Sequence, residues 1–568
     1  MPGQRLIVLK FGSSVLATER DLPRAVAEID RWRRAGWGVV AVVSALRGGT
    51  DRLLADAGRL AERPNPASLA SLVATGEQYA AAALALALDR AGLASRALDA
   101  ASLGLRTVGD PLDGVVVGAR LGAVRQALQW DEVVVAPGFV ARDGAGRTSL
   151  LGRGGSDYTA VCLALALGAR CRLVKDVRGV YAGAPGLFGA RRYATLPWDE
   201  ALALGAKVVQ PKALRYAAAH GLEIEVARLD ADEATRIGRG PAAFADDDDA
   251  PPPVRVALLG AGTVGLGVLR HLLDRSERFE VVGVAVRDAS RAVARGAPSR
   301  LVMTDIDEPL RRAPDLAIEA CGELEPGARW MEAALLAGVH VATVNKTAVS
   351  RAFERLAGAA AAGGANWRFS GAVGGAAPIL AAARRLREDQ GVDSFEAVLN
   401  GTSNFVLDRM SAGASFDEAV REAQALGFAE ADPAADLDGV DAAEKLAIVA
   451  REAFGGALHP DEVRRIGLRA SDGARCVREA AEGRRVRLVA SLRRKGGGLI
   501  AEVAPREVSA HGWLGLAREE WNAATFRLHD GSVVRVRGRG AGRWPTAQAA
   551  LADALELSRA RAGAGVAP

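Results

Sequence analysis

The sequence predicts an α/β protein of more than one domain, and three observations carry that expectation. From Arg5 to about Leu229, apolar β-rich runs (LIVLKF, VVAVVSAL, EVVVAPGFV, RCRLVKDV, LEIEVARL) alternate with Ala-rich helical stretches, the pattern of a buried, mainly parallel sheet. The run FADDDDAPPP then sets acidic residues against three prolines, a solvated composition that cannot join a core. Directly after it, VRVALLGAGTVGLGVLRHLL gives an apolar strand, a Gly-rich turn and an amphipathic helix, followed by the strand FEVVGVAV.

Taken in order, these signals predict a first α/β domain over residues 1–229, a linker over 230–253, and a dinucleotide-binding domain over 254–385 that opens as a Rossmann half does. The stretch FEAVLNGTSNFVLDRM, a long helical pattern around DAAEKLAIVAREAFG, and strand-like segments near RVRLVAS, GGLIAEVA and SVVRVRG predict an α+β substrate domain over 386–540. A terminal helix, TAQAALADALELSRARA, is expected within 541–568, packed back on the nucleotide-binding domain.

At 568 residues the chain is too long for one hydrophobic core. Its 73 basic and 68 acidic residues are interspersed, and no aromatic and basic interleaving appears, which argues against a nucleic-acid partner. The four cysteines, Cys162, Cys171, Cys321 and Cys476, form no CxxC pair and have no His at ligand spacing, so neither zinc nor a disulfide framework is indicated. MPGQRLIVLKFG lacks a basic region followed by a long apolar stretch, and the run from Ala80 to Leu88 is short of a bilayer span; a cytoplasmic protein without a membrane partner is expected.

The GxGxxGxG run places Gly260, Gly262, Gly265 and Gly267 between strand and helix, where bare backbone can approach a pyrophosphate and the helix N-terminus offers unpaired N–H donors. A glycine turn needed only for packing is the plainer alternative. At the end of the second strand the sequence reads VAVRDAS, with Arg287 nearest the ribose-binding position and Asp288 beside it. Arg there pairs with a 2′-phosphate and favours NADP over NAD. Further on, Asp441 and Lys445 stand four residues apart on one helical face, with Glu430, Asp432, Asp436 and Asp438 upstream. A surface ion pair would be worth only a few tenths of a kcal/mol and does not account for that apolar and acidic setting.

From Val254 onward, GAGTVGLGV, VNKTAVS, AVGGAAPIL, NGTSNFVLDRM, EADPAADLDGVDAAEKLAI and GAGRWPTA together resemble the homoserine dehydrogenase family, in that family's order. The resemblance implies hydride transfer between a nicotinamide and the aldehyde carbon of aspartate semialdehyde, with Lys445 as proton donor and Asp441 orienting the substrate. It implies substrate binding at Glu430, Asp436 and the backbone of Gly427, and places Lys346 close to nicotinamide and substrate. Cofactor contacts are extended to Thr263, Val264 and Gly542. A monovalent cation (Na+ or K+) would sit on backbone oxygens near Val373 and Gly375 with a nearby Glu, but Ser370 stands where that Glu is expected. The family pairs its substrate-domain sheets, which implies a homo-oligomer, a dimer or a tetramer.

The first 229 residues resemble the amino-acid kinase family, a three-layer fold, and within it aspartokinase: VLKFGSSV, VVSALRGGTD, TGEQ, APGF, LGRGGSDYTA, KDVRGVYAGAP and LGAKVVQPKAL fall in order. The implied ligands are ATP, Mg2+ and aspartate. Lys10 would stabilise charge on the transferred phosphoryl group, and Asp157 would organise the reacting groups. Glu77 and Arg153 would bind substrate, Arg153 gripping a carboxylate as a fork, and Lys207 would bind nucleotide. No GxxxxGK[ST] loop is present. KFGSSV is one residue shorter than the family's KFGGTSV, Gln78 replaces an Arg, and KDVRGVYAGAPG replaces an acidic, threonine-bearing loop. The opening KFGSSVL also resembles glutamate 5-kinase.

Two readings of function stay open: a bifunctional aspartokinase and homoserine dehydrogenase, or a dehydrogenase whose kinase-like domain serves binding or assembly. A third, a non-catalytic dinucleotide-binding regulator, would need Asp441 and Lys445 to be merely a salt bridge. Fused chains of the first kind carry paired regulatory ACT domains between their enzymes, and the linker here has no room for them, so threonine feedback of the usual kind is not expected.

Overall fold

Five apolar runs of the first 229 residues become the strands Leu6–Phe11, Gly38–Val43, Val133–Pro137, Arg170–Lys175 and Ile224–Arg228, neighbours in one sheet and all paired in parallel. Their β-branched residues fit a surface buried on both faces, and Val8, Val40, Val42, Val134 and Val226 form one core with Tyr158 and Val161 of the helix Gly155–Leu167. The computed structural model describes residues 5–183, 191–204, 209–246, 252–496 and 498–562. It divides into two compact units, residues 1–90 with 94–250, and residues 251–568 with 91–93.

In the first unit the described residues give a nine-stranded sheet, extended at one edge by Thr235–Gly238, Tyr193–Pro197 and Ala243–Phe244. The linker expected over 230–253 therefore begins too early. Thr235–Gly238 pairs antiparallel with Ile224–Arg228, which satisfies its backbone groups inside the sheet, and Ala243–Phe244 pairs with Tyr193–Pro197. Only the acidic, proline-bearing end of the segment has the composition of a linker, and residues 247–251 lie outside the described residues. The run Ala80–Leu88 belongs to a 25-residue helix, Pro66–Arg90, long and apolar enough by length and composition to cross a membrane. Val73, Ala74, Glu77, Ala80, Ala81 and Leu84 are buried along its inner face.

The second unit begins with a six-stranded parallel sheet in the order Val302–Met303, Phe279–Ala285, Val254–Leu259, Leu316–Glu319, His340–Thr343, Trp367–Arg368. The terminal helix Arg543–Ala562 packs against the helix Thr263–Leu273 and the adjacent strands Leu316–Glu319 and His340–Thr343. A second sheet of six strands follows: Arg464–Arg465, Gly498–Ser509, Arg484–Lys495, Val392–Val398, Trp521–Leu528, Val533–Arg539, antiparallel except at its first pair. Trp521–Leu528 is absent from the sequence reading: Asn522 and the alanines weaken its β signal, and only pairing on both sides makes it a strand. The boundary expected at 385 also moves. Ile379, Ala382, Ala383 and Leu386 of the helix Ile379–Asp389 are buried in one core with Phe395 and Leu446, so that helix belongs with the second sheet.

Candidate functional site

The glycine turn of the second unit follows the strand Val254–Leu259 and opens the helix Thr263–Leu273, whose first residues are Thr263 and Val264. Gly260 has φ +95°, and a Cβ there would come within 2.8 Å of the Ala320 carbonyl oxygen. At Gly265 a Cβ would sit 2.1 Å from the Gly260 carbonyl oxygen, while at Gly262 it would meet nothing within 4 Å. The turn thus has one face closed on itself and one open, a cradle that suits a pyrophosphate at a helix N-terminus. Gly267 lies deeper: a Cβ would approach the Ala547 Cβ to 2.9 Å, so its role is close packing of the terminal helix. Gly542, with φ +111°, introduces that helix. Arg295 donates to the Thr263 hydroxyl at 3.2 Å.

Arg287, past the end of the strand Phe279–Ala285, is 87% exposed and pairs with Glu323 at 3.2 Å. Asp288 beside it caps the helix Ala289–Ala294, accepting from the Arg291 backbone N–H at 2.9 Å. The acid of VAVRDAS is thus engaged in a helix cap, while the guanidinium beside it is exposed.

The substrate side is built around one carboxylate. Asp441, in the first turn of the helix Val440–Val449, is buried, and each oxygen holds a lysine: Lys346 Nζ at 2.7 Å from Oδ1 and Lys445 Nζ at 2.7 Å from Oδ2. Lys445 reaches back along its own helix face and also donates to the Leu399 carbonyl at 2.7 Å. Lys346 opens the helix Lys346–Arg351, capped by Asn345, and Glu444 ties that helix to its own through Thr347 and Arg351. Burial works against ionisation of Asp441, but the two lysines and Asn400 outweigh it and hold the carboxyl well below the usual carboxylate range. Burial alone would depress Lys346; the Asp441 charge reverses that and raises it.

Asn400 is a functional residue that sequence reasoning missed. Its Oδ1 caps the helix Gly401–Ser411, while Nδ2 donates to Asp441 at 2.9 Å and to Asp436 at 2.6 Å. The signal lies in NGTSN, where an Asn, a residue type that caps helices, precedes the helix. Asp436 completes the cluster by accepting from Thr402 at 2.9 Å. Glu430 and Gly427 do not join it; both are exposed on the loop before the helix Ala434–Leu437.

At the turn 373–375, Val373 is buried, Gly374 (φ +83°) packs against Ile379 and the Ala377 carbonyl, and Gly375 (φ +54°) packs against the Arg539 and Gly540 carbonyls. Ser370 donates its backbone N–H to Asp553 at 2.7 Å, and its hydroxyl accepts from Arg384 at 3.4 Å. The serine's hydroxyl thus meets a guanidinium and its backbone N–H a carboxylate. Among the described residues no group of three or more His, Cys, Asp or Glu side chains is placed to hold a metal ion.

Profile and sequence comparisons agree with this geometry. The family models "Homoserine dehydrogenase, NAD binding domain" and "Homoserine dehydrogenase" match residues 260–370 and 378–555. The homoserine dehydrogenase of Synechocystis sp. is 33% identical over 317 residues, 54% of this chain and 73% of the relative. The chain belongs to the homoserine dehydrogenase family. That of Corynebacterium glutamicum is 34% identical over 329 residues, 56% of this chain and 74% of the relative. A crystal structure of a homoserine dehydrogenase from Thiobacillus denitrificans has TM-score 0.52 and 32% identity, covering 56% of this chain and 76% of that one. This member of the family is an NAD(P)-dependent oxidoreductase, and it carries an extra unit: the amino acid kinase family model matches residues 5–228, which leaves only 229–259 between the first two matches.

In that extra unit a second carboxylate holds two lysines. Asp157, in the first turn of the helix Gly155–Leu167, is 2% exposed and bonds Lys10 Nζ at 2.8 Å and Lys175 Nζ at 3.0 Å. Burial opposes its ionisation, but Lys10 and Lys175 hold its carboxyl at about 2. Gly12 leaves room for this: a Cβ there would lie 2.9 Å from Lys10 Nζ. Glu77 is also buried; it accepts from the Ala45 backbone, and its Oε2 has no hydrogen-bond partner among the described residues. Burial, only partly offset by Ala45 and Lys10, pushes its carboxyl up to about 8. Arg153 is exposed on the preceding loop, outside the buried cluster, and Lys207 lies outside the described residues. Lys175, which sequence reasoning passed over inside KDVRGVY, is the residue the fold adds.

Proposed function

We propose that the second unit reduces L-aspartate 4-semialdehyde to L-homoserine, and that the first phosphorylates the side-chain carboxylate of L-aspartate with ATP and Mg2+. The observation that carries the first half is the Lys346–Asp441–Lys445 cluster, assembled from two helices within reach of the nucleotide-binding sheet. When bound, NADPH or NADH supplies the hydride that the aldehyde carbon accepts. Lys445, aimed by Asp441 and the Leu399 carbonyl, gives the proton that the resulting alkoxide oxygen needs. Lys346 and Asp436 orient the substrate beside it, with Glu430 and the Gly427 backbone reaching its amino group from the loop. Arg287 favours NADP through the 2′-phosphate. The backbone at Val373 and Gly375 retains carbonyl oxygens for a monovalent cation, but no step of this reading uses one.

The second half rests on Lys10, Asp157 and Glu77. Phosphoryl transfer needs positioning and charge stabilisation more than covalent help from the protein, and a rigid ammonium and carboxylate at strand and helix ends supply that. A kinase-like unit retained for binding or assembly is the second reading, favoured by the exposed position of Arg153. The paired substrate-domain sheets of the family extend the proposal to a homo-oligomer.

One paired assay on the purified chain tests both halves. NADPH oxidation should require aspartate semialdehyde, and Lys445→Ala should lower kcat by about 10²- to 10⁴-fold, the range of a lost general acid. ADP release should require aspartate and vanish in Asp157→Ala. Full turnover in the Lys445 variant refutes the first assignment; ADP release that ignores aspartate refutes the second.

A further inference from the structure

The charges around Asp157 do not balance. Lys10 and Lys175 present two ammonium groups with side chains only 7% and 13% exposed, and one carboxylate between them uses both oxygens to hold them. Glu77, the other acid near Lys10, is buried and protonated at neutral pH, its carboxyl pushed up to about 8, so it does not offset the second ammonium. Asp176, next to Lys175, is exposed and water screens its charge, so the second ammonium has no buried counter-charge of its own and leaves a place that an anion can take.

The two lysines converge because of strand register. Lys10 pairs with Leu173 across the parallel ladder, and Lys175 lies two residues beyond Leu173, so all three point to the same face of the sheet. Both lysines stand at the carboxyl ends of adjacent parallel strands, the edge where open α/β sheets bind ligands. Asp157 approaches from the N-terminus of the helix Gly155–Leu167, whose dipole adds to the attraction for an anion. Burial and the neighbouring Lys10 charge lower Lys175 from the usual lysine value, so a further negative partner would favour its ammonium form.

We propose that Lys175 is a second phosphate-binding lysine of the first unit, holding a phosphoryl group jointly with Lys10 above the Asp157 carboxylate. This rests on the kinase reading above and adds to it a residue and a charge count. In the transfer, the bond from the γ-phosphorus to the β–γ bridging oxygen breaks and ADP departs with that electron pair, while a bond forms from phosphorus to a substrate carboxylate oxygen. The nucleophile is already ionised, so no proton moves. What the protein supplies is charge on the phosphoryl oxygens, and two ammonium groups supply more than Lys10 alone. Asp157 acts as the positioning residue that keeps both lysines extended.

The test is equilibrium binding of MgADP and of inorganic phosphate to the full-length chain, with aspartate-dependent ADP release measured in parallel. Lys175→Met should weaken binding of both probes by tenfold or more, and Lys175→Arg should restore much of it. Binding recovered in Lys175→Arg and an unchanged urea transition of the first unit in Lys175→Met show that this unit is folded, and unchanged NADPH-dependent turnover shows that the second unit is. Asp157 retains Lys10 in these variants, so the core is not stripped of its ion pair. Wild-type affinity in Lys175→Met overturns the inference, and if aspartate-dependent ADP release also persists there, the kinase reading stands without it. Lys175-dependent binding in a chain that never releases ADP with aspartate supports the phosphate site and sinks the kinase reading. Failure of the wild-type chain to bind either probe overturns both.

Discussion

Replacing Asp441 by asparagine isolates what the central carboxylate contributes. The amide keeps the volume but removes the charge that both lysines face. Lys445 is 12% exposed, and breaking a buried pair of this kind costs about 3–5 kcal/mol because an ammonium is left uncompensated. Lys346 is 38% exposed, where water screens the pair, so it adds about 1 kcal/mol at most. At roughly 2–4 °C per kcal/mol for a domain of this size, Asp441→Asn should melt on the order of 10 °C below the parent. The sign of the pH dependence follows from the depressed carboxyl. Its contribution is fully present above the unfolded value of 3.8 and is lost only as pH falls towards the lower native value, so the deficit should be the same at pH 6 and pH 9. Calorimetry at both pH values and NADPH oxidation with aspartate semialdehyde read the two effects, with kcat expected to fall about 10²-fold or more. A melting temperature within 1 °C of the parent, or undiminished kcat, would refute the placement of Asp441 as the hub.

Three further outcomes follow from the same geometry. Gly265→Ala forces a Cβ to within 2.1 Å of a backbone oxygen that cannot swing away, so NADPH affinity should collapse in fluorescence titration while substrate-domain strands keep their circular dichroism. Arg287→Asp should cut the NADPH over NADH preference in kcat/KM by tenfold or more, and because its pair with Glu323 is exposed, the melting temperature should move by less than about 1 kcal/mol implies. Glu77→Gln should stabilise the first unit relative to the parent as pH rises. The parent's carboxyl titrates at about 8 when folded against 4.5 unfolded, so its protonated form favours folding below 4.5 and that advantage is lost up to about 8. Equal urea midpoints for the two chains at pH 5 and pH 9 would contradict this.

Legibility in the sequence tracked how local the determining physics is. Strands buried on both faces, such as VVAVVSAL, announce themselves by composition, and the GAGTVGLG turn by glycines whose backbone demands no other residue. Lys445 and Asp441 are one helical turn apart, so their pairing could be read directly. Lys175 and Asn400 could not, because their importance arises only when Lys175 meets Asp157 and when Asn400 meets Asp436 and Asp441 across the fold. Thr235–Gly238 was lost in the linker for the same reason, since four residues carry little period and gain their identity from pairing with Ile224–Arg228. Glu430 lies on an exposed loop outside the buried cluster, a placement that its closeness to the motif in sequence does not reveal.

The helix Arg543–Ala562 sets a timetable for biosynthesis. Ala547, Ala550, Leu551 and Ala554 are fully buried, and the helix lies against Thr263–Leu273, which a ribosome completes 289 residues earlier than residue 562. At 5–20 residues per second that interval is roughly 15–60 s, during which the nucleotide-binding layer has an uncovered apolar flank. The nascent chain is therefore exposed to aggregation longest at the layer that binds cofactor, and early termination anywhere in the second sheet leaves that layer permanently unfinished.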